Sequence, residues 1–133
     1  MTHVPALDLA TEIATQEGTL TLGTNIFHSS VRAPDSFIPK NCVFVWGDSG
    51  RAPLRTMGDP DEIRVAVVHV RIRNAKSATG STLAHSIMNL LRGDDVSTYL
   101  EVKIAISEPR SMGQDTNGNH LFGMEYLMTY QEP

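Results

Sequence analysis

The sequence predicts an α/β fold of the α+β kind: a mixed sheet of four to five strands with two helices packed on it. Three patterns lead there. The apolar run Cys42-Val-Phe-Val-Trp46 and the long apolar stretch over 63–73 read as strands, and residues 79–91 follow with helical spacing. Past them, residues 121–130 alternate strictly, Phe122, Met124, Tyr126, Met128 and Tyr130 sharing one parity. Strands and helices mixed in this way bury one apolar face of each element in a single core.

The elements follow in order. Leu7, Leu9, Ala10, Ile13 and Ala14 form a stripe that predicts a helix over 5–16, with Pro5 in its first turn and Gly18 as its stop. Thr19-Leu-Thr-Leu22 alternates and predicts a strand, which Asn25-Ile-Phe-His28 can extend. Residues 24–41, with Pro34 and Pro39, read mostly as loop. Over 63–73 the apolar parity changes: Ile63, Val65 and Val67 on one side, then Val68, Val70 and Ile72 on the other, with His69, Arg71 and Arg73 pointing away. A strand apolar on both faces is expected at the centre of the sheet, covered above and below.

In the second helix Ser77 or Thr79 is the expected cap. Leu83, Ala84, Ile87, Met88, Leu90 and Leu91 form the buried face, His85 borders the core, and Arg92-Gly93 marks the stop. A strand over 98–107 is expected to point Leu100, Val102, Ile104 and Ile106 inward and Tyr99 outward. Residues 108–119 read as a loop whose Asn117-Gly118 signals a turn, so the 98–107 strand should pair with the last one as a hairpin.

Composition narrows the function. The 133 residues make one domain, and the apolar share of 41% with 20% charged residues is that of an ordinary globular chain. No apolar run reaches the roughly 20 residues of a membrane span, and residues 1–8 lack the basic and apolar segments of a secretion signal. Cys42 is the one cysteine, expected as a small core residue in a reducing compartment. The net charge of −4 is uneven, about +2 over 41–76 and −4 over 77–133. That is too acidic overall for a dedicated nucleic-acid binder, and it suits surfaces of opposite sign meeting between subunits.

Catalytic motifs do not hold together. Gly47-Asp-Ser49-Gly50 resembles the nucleophile loop of trypsin-like proteases, but the five histidines stand in no triad context and the chain is too short for that two-barrel scaffold. A tight turn stiffened by Pro53 explains it better. Asp115-Thr-Asn117-Gly-Asn119 echoes a calcium loop, yet its glycine falls early and Tyr126 stands where a bidentate Glu belongs, so a hairpin turn is expected. No two histidines have i, i+3 or i, i+4 spacing. No catalytic residue, metal or cofactor is therefore expected. Arg51, Arg55, Arg71, Arg73 and Lys76 are the candidate contacts, able to meet an acidic neighbouring subunit or DNA phosphate; a solvated strand face is the plainer reading. Trp46 and the pair Tyr126/Tyr130 divide between an apolar interface and core packing.

The order of several pieces resembles the tail terminator proteins of long-tailed bacteriophages, also called minor capsid or tail completion proteins. They are Ile38-Pro39 before the first apolar strand, the Gly-rich loop with Arg51-Ala-Pro53, and the strand ending Val70-Arg-Ile-Arg73. Ser77-Ala-Thr-Gly80 then enters the helix, and Ser107-Glu-Pro109, Met112-Gly-Gln-Asp115 and Asn117-Gly118 precede the last strand. Asp48-Ser49-Gly50 departs from the Gly-Gly pair common in that family, and Asn74-Ala-Lys76 stands where an aromatic often follows. The resemblance implies a homo-oligomeric ring, usually a hexamer, on the head-proximal end of a virion tail. Such a ring ends tube growth, offers a surface to the head-completion protein and lets DNA pass through its lumen. The alternatives are another head–tail connector or stopper, a tail tube component, and a small hydrolase using Ser49 or Asp48.

Overall fold

Pro5 opens helix α1 (Pro5–Gln16), its fixed φ suiting a position whose N–H has no helical partner. Asp8 in the first turn accepts from Val4 N at 3.3 Å, and Ala6, Leu9, Ala10 and Ile13 turn inward. The helix ends as expected at Gln16, but by a different device. Glu17 is extended (φ −93°, ψ 94°) and its N–H still bonds Ile13 O at 2.8 Å, while Gly18 is not among the glycines with positive φ. The computed structural model describes residues 4–28, 41–47, 54–55, 62–90, 99–105, 108–115 and 118–132, the backbone alone for Leu54, Arg55, Glu62, Leu90 and Glu132.

The expected strand at 19–22 is a turn instead. Asn25 Oδ1 accepts from Thr21 N at 2.6 Å and its Nδ2 donates to Thr19 O at 2.9 Å. Those side-chain bonds replace a strand ladder, as Asn often does, and Gly23 (φ 88°) makes the reversal. The alternation in the sequence records only that Leu20 and Leu22 pack on the core.

Beyond it lie β1 (Ile26–His28), β2 (Cys42–Gly47), β3 (Leu54–Arg55), β4 (Glu62–Asn74), helix α2 (Ser77–Leu90), β5 (Glu101–Ile104), β6 (Arg110–Gln114) and β7 (His120–Glu132). Among the described residues these seven strands form one sheet in the order β1-β2-β4-β7-β5, with β3 beside β4 and β6 beside β7. Only β1 and β2 run parallel. The fold is α+β, with short strands added to the expected four or five. β4 is central as expected, paired with β7 over its whole length, from Glu62↔Glu132 to Asn74↔His120.

Register then sorts the side chains. Val43 and Val45 of β2, Val68, Val70 and Ile72 of β4, and Phe122, Met124, Tyr126, Met128 and Tyr130 of β7 face the helices and are buried with Leu9, Ile13, Ala84 and Ile87. Each large side chain so buried contributes about 1.5–3 kcal/mol. The pair Tyr126/Tyr130 is thus core. Both helices cover this one face; the opposite face of β4, expected to be covered as well, keeps Ile63, Val65 and Val67 half-buried.

Four local expectations shift. Helix α2 begins at Ser77, so Ser77 and Thr79 lie inside its first turn; Lys76 O takes the first helical bond from Gly80 N at 3.0 Å, and Asn74 Oδ1 accepts from Lys76 N. His85 is exposed, its Nδ1 2.8 Å from Ser81 O. Tyr99 is buried, edge-on to Tyr130 and donating to Asp8 Oδ2 at 2.5 Å, while Leu100 is 58% exposed. The bend lies before β5, so only Val102 and Ile104 of the expected inward set pack against the core; Ile106 lies outside the described residues. β5 pairs antiparallel with β7 as expected, but part of the supposed loop is strand β6, which pairs with β7 further along the same edge. Gly118 (φ 79°) helps close a turn that joins β6, not the 98–107 strand, to β7; Asn117 lies outside the described residues.

Candidate functional site

The helix-free face carries the chemistry. Register sets Phe44, Arg71, Gly123 and Arg110 side by side across β2, β4, β7 and β6, and Trp46, His69 and Glu125 in the neighbouring row. A cleft of about 250 Å³ opens over these two rows, with Arg110 and Met112 of β6 on its far side. Trp46 and His69 stack with centroids 5.1 Å apart and planes 16° from parallel. The Arg71 guanidinium carbon is 5.1 Å from the indole centroid, within cation–π range. His69 Nδ1 stands 3.6 Å from Glu125 Oε1.

Arg71 is half-buried, and its Nε is buried with no hydrogen-bond acceptor among the described residues. A donor left unmatched in this way costs about 1–3 kcal/mol. Residue 123 beside it is glycine, and the Met112 thioether takes the space a side chain would need: a Cβ there would stand 2.8 Å from Met112 Sδ. Met112 is itself 42% exposed.

The five basic candidates separate. Arg71 lines the cleft. Arg73, two residues on, is held by its own chain: Nε lies 2.9 Å from Asp115 Oδ2, and the Asn119 amide, turned to present its oxygen, accepts from Nη2 at 2.8 Å. With Asn119 N donating to Asp115 Oδ1 at 3.0 Å, Arg73 pins the β6–β7 turn and is only 13% exposed. It is a structural arginine, not the projecting contact the strand end suggested. Lys76 is exposed in the turn ahead of α2. Arg51 lies outside the described residues, as does the side chain of Arg55. Asp48 and Ser49, considered for a hydrolase, also lie outside them.

Arg110, His69 and Glu125 were missed. The signal for Arg110 was the Asn117-Gly118 turn: a strand must precede it to pair with β7, which puts Arg110 opposite Gly123. Cys42, buried at the edge of this face, has its thiol pushed up from the ordinary 9.0 to about 11 by burial, against a smaller opposing pull from Arg73. Among the described residues, no three or more His, Cys, Asp or Glu side chains are grouped to hold a metal ion, and no helix is long and apolar enough to cross a membrane.

The chain matches no protein-family model and no curated protein. The helix-free face offers a recess with aromatic walls and guanidinium groups, beside a row of half-buried aliphatic side chains, Val65, Val67 and Leu127. Aromatic and Arg side chains at the centre of an apolar patch are the usual anchors of protein contacts.

Proposed function

We propose that the chain is a structural virion subunit that closes into a ring on the end of a phage tail tube. There it ends tube growth and presents a surface for head joining. The observation that carries this reading is the one-sided sheet. Both helices occupy one face, while the other keeps aliphatic, aromatic and arginine side chains half-exposed along β2, β4 and β7. A surface of this composition suits burial against another protein. The uneven charge, basic over 41–76 and acidic over 77–133, supports head-to-tail contacts between copies, and such contacts close into a ring when their rotation permits. The order of motifs, which resembles that of tail terminators, supplies the choice of assembly.

Deleting the gene from its phage tests the proposal. Loss of a terminator leaves tails of uncontrolled length. Tails of normal length beside heads that leak DNA assign the chain to a stopper instead, and a complete absence of tubes assigns it to the tube.

A further inference from the structure

We infer that the cleft between Trp46 and Met112 binds a carboxylate carried on a short apolar stem. The inference stands apart from the tail-tube reading. Arg71 is held against the indole of Trp46, yet its buried Nε has no acceptor among the described residues, so a ligand oxygen that reached it would satisfy a fixed donor. Arg110, exposed and without an ion pair among the described residues, faces it across Gly123. Paired residues on adjacent strands stand about 5 Å apart, so the two arginines rise from backbones about 10 Å apart, a span their side chains can close over one anion. The acid lining the cleft, Glu125, is matched to His69 and leaves both guanidinium groups free.

Shape and charge select the ligand. The Nε–Nη edge of a guanidinium matches the two oxygens of a carboxylate. Glu125 beside the cleft disfavours a more highly charged phosphate. The volume of about 250 Å³ is smaller than a drug-sized pocket, so the stem has only a few carbons. Trp46 supplies an apolar wall, and the flexible Met112 thioether over Gly123 is the group a ligand displaces. The carboxylate has two possible sources, a free small acid or one Glu side chain of another polypeptide.

Trp46 is the chain's one tryptophan, so its fluorescence reports the cleft directly. The full chain is titrated with butyrate, with its neutral isostere butyramide, with a capped Ala-Glu-Ala peptide and with inorganic phosphate. The expected result is saturable change with butyrate or the peptide and none with butyramide. Tighter binding of the peptide assigns the source to a polypeptide, and binding of butyrate alone assigns it to a free acid. Arg110→Gln weakens the response about tenfold or more and Arg71→Gln abolishes it, while Lys76→Gln leaves it unchanged. Arg110 is on an exposed strand, so its variant decides the matter even if Arg71→Gln fails to fold. The inference is overturned by no saturable response to either carboxylate up to about 10 mM. It is equally overturned by an equal response to butyramide, by stronger binding of phosphate, or by an Arg110→Gln chain that titrates like the unmodified one.

Discussion

Two glycines present the same crowding to an added methyl group, and their neighbours predict opposite outcomes. At Gly80, in the first turn of α2, a Cβ would lie 2.8 Å from Phe122 Cε2, 3.2 Å from Cδ2 and 3.0 Å from Asn74 Cβ. Carbon atoms pack at about 3.5–4.0 Å, so something must move by roughly 0.7 Å. Neither neighbour gives easily. Phe122 is core at 6% exposure, and Asn74 is buried with its amide oxygen engaged by Lys76 N. The helix must lift from the sheet, an overpacking worth about 1–3 kcal/mol, while alanine's better helix propensity returns about 1 kcal/mol. Gly80→Ala should therefore destabilise by about 1 kcal/mol and the bulkier Gly80→Val by about 2–3 kcal/mol. At Gly123 the 2.8 Å neighbour is the sulfur of exposed, flexible Met112, and Gly123→Ala should stay within about 0.5 kcal/mol. Urea unfolding reads all three as midpoint shifts at constant slope. A Gly80→Val protein as stable as the unmodified one, or Gly123→Ala the more damaging, would refute the close helix–sheet contact.

Other consequences concern charge. Burial raises the Cys42 thiol to about 11, so its contribution is complete below pH 9 and lost as pH rises from 9 through 11. At about 1.4 kcal/mol per unit the loss is on the order of 2–3 kcal/mol, and burial of Tyr126 extends the decline to higher pH. Denaturation between pH 8 and 11 should show a shallower fall in Cys42→Ala; an identical slope contradicts the assignment. Arg73 and Asp115 should couple by about 1–3 kcal/mol in a double-mutant cycle, because their contact is mostly shielded and the Asn119 turn depends on it. Additive single effects would show that the turn holds without them.

The fold was legible where one local pattern decides the structure. Pro5 and the spacing through Ile13 mark the start and the buried stripe of α1, and the alternation from Phe122 to Tyr130 is the buried face of β7. It was not legible where side chains or backbone alone decide. Asn25 captured the backbone of Thr19 and Thr21, so an alternating stretch became a turn. All five residues of β6 are exposed, so only its ladder to β7, bulged near Gly113 (φ 82°), makes it a strand. The cleft depends on register. Nothing local pairs Trp46 with His69 or Arg71 with Gly123, and Arg71 and Arg73, alike in sequence, part because Asp115 just past the end of β6 meets Arg73.

The most direct test of the ring proposal is electron microscopy of tail tubes grown from purified tube protein with and without this chain. Tubes held to a shorter, narrower range of lengths, each bearing a collar at one end, are the expected result. Length distributions that do not change when the chain is added, with both tube ends bare, would contradict it.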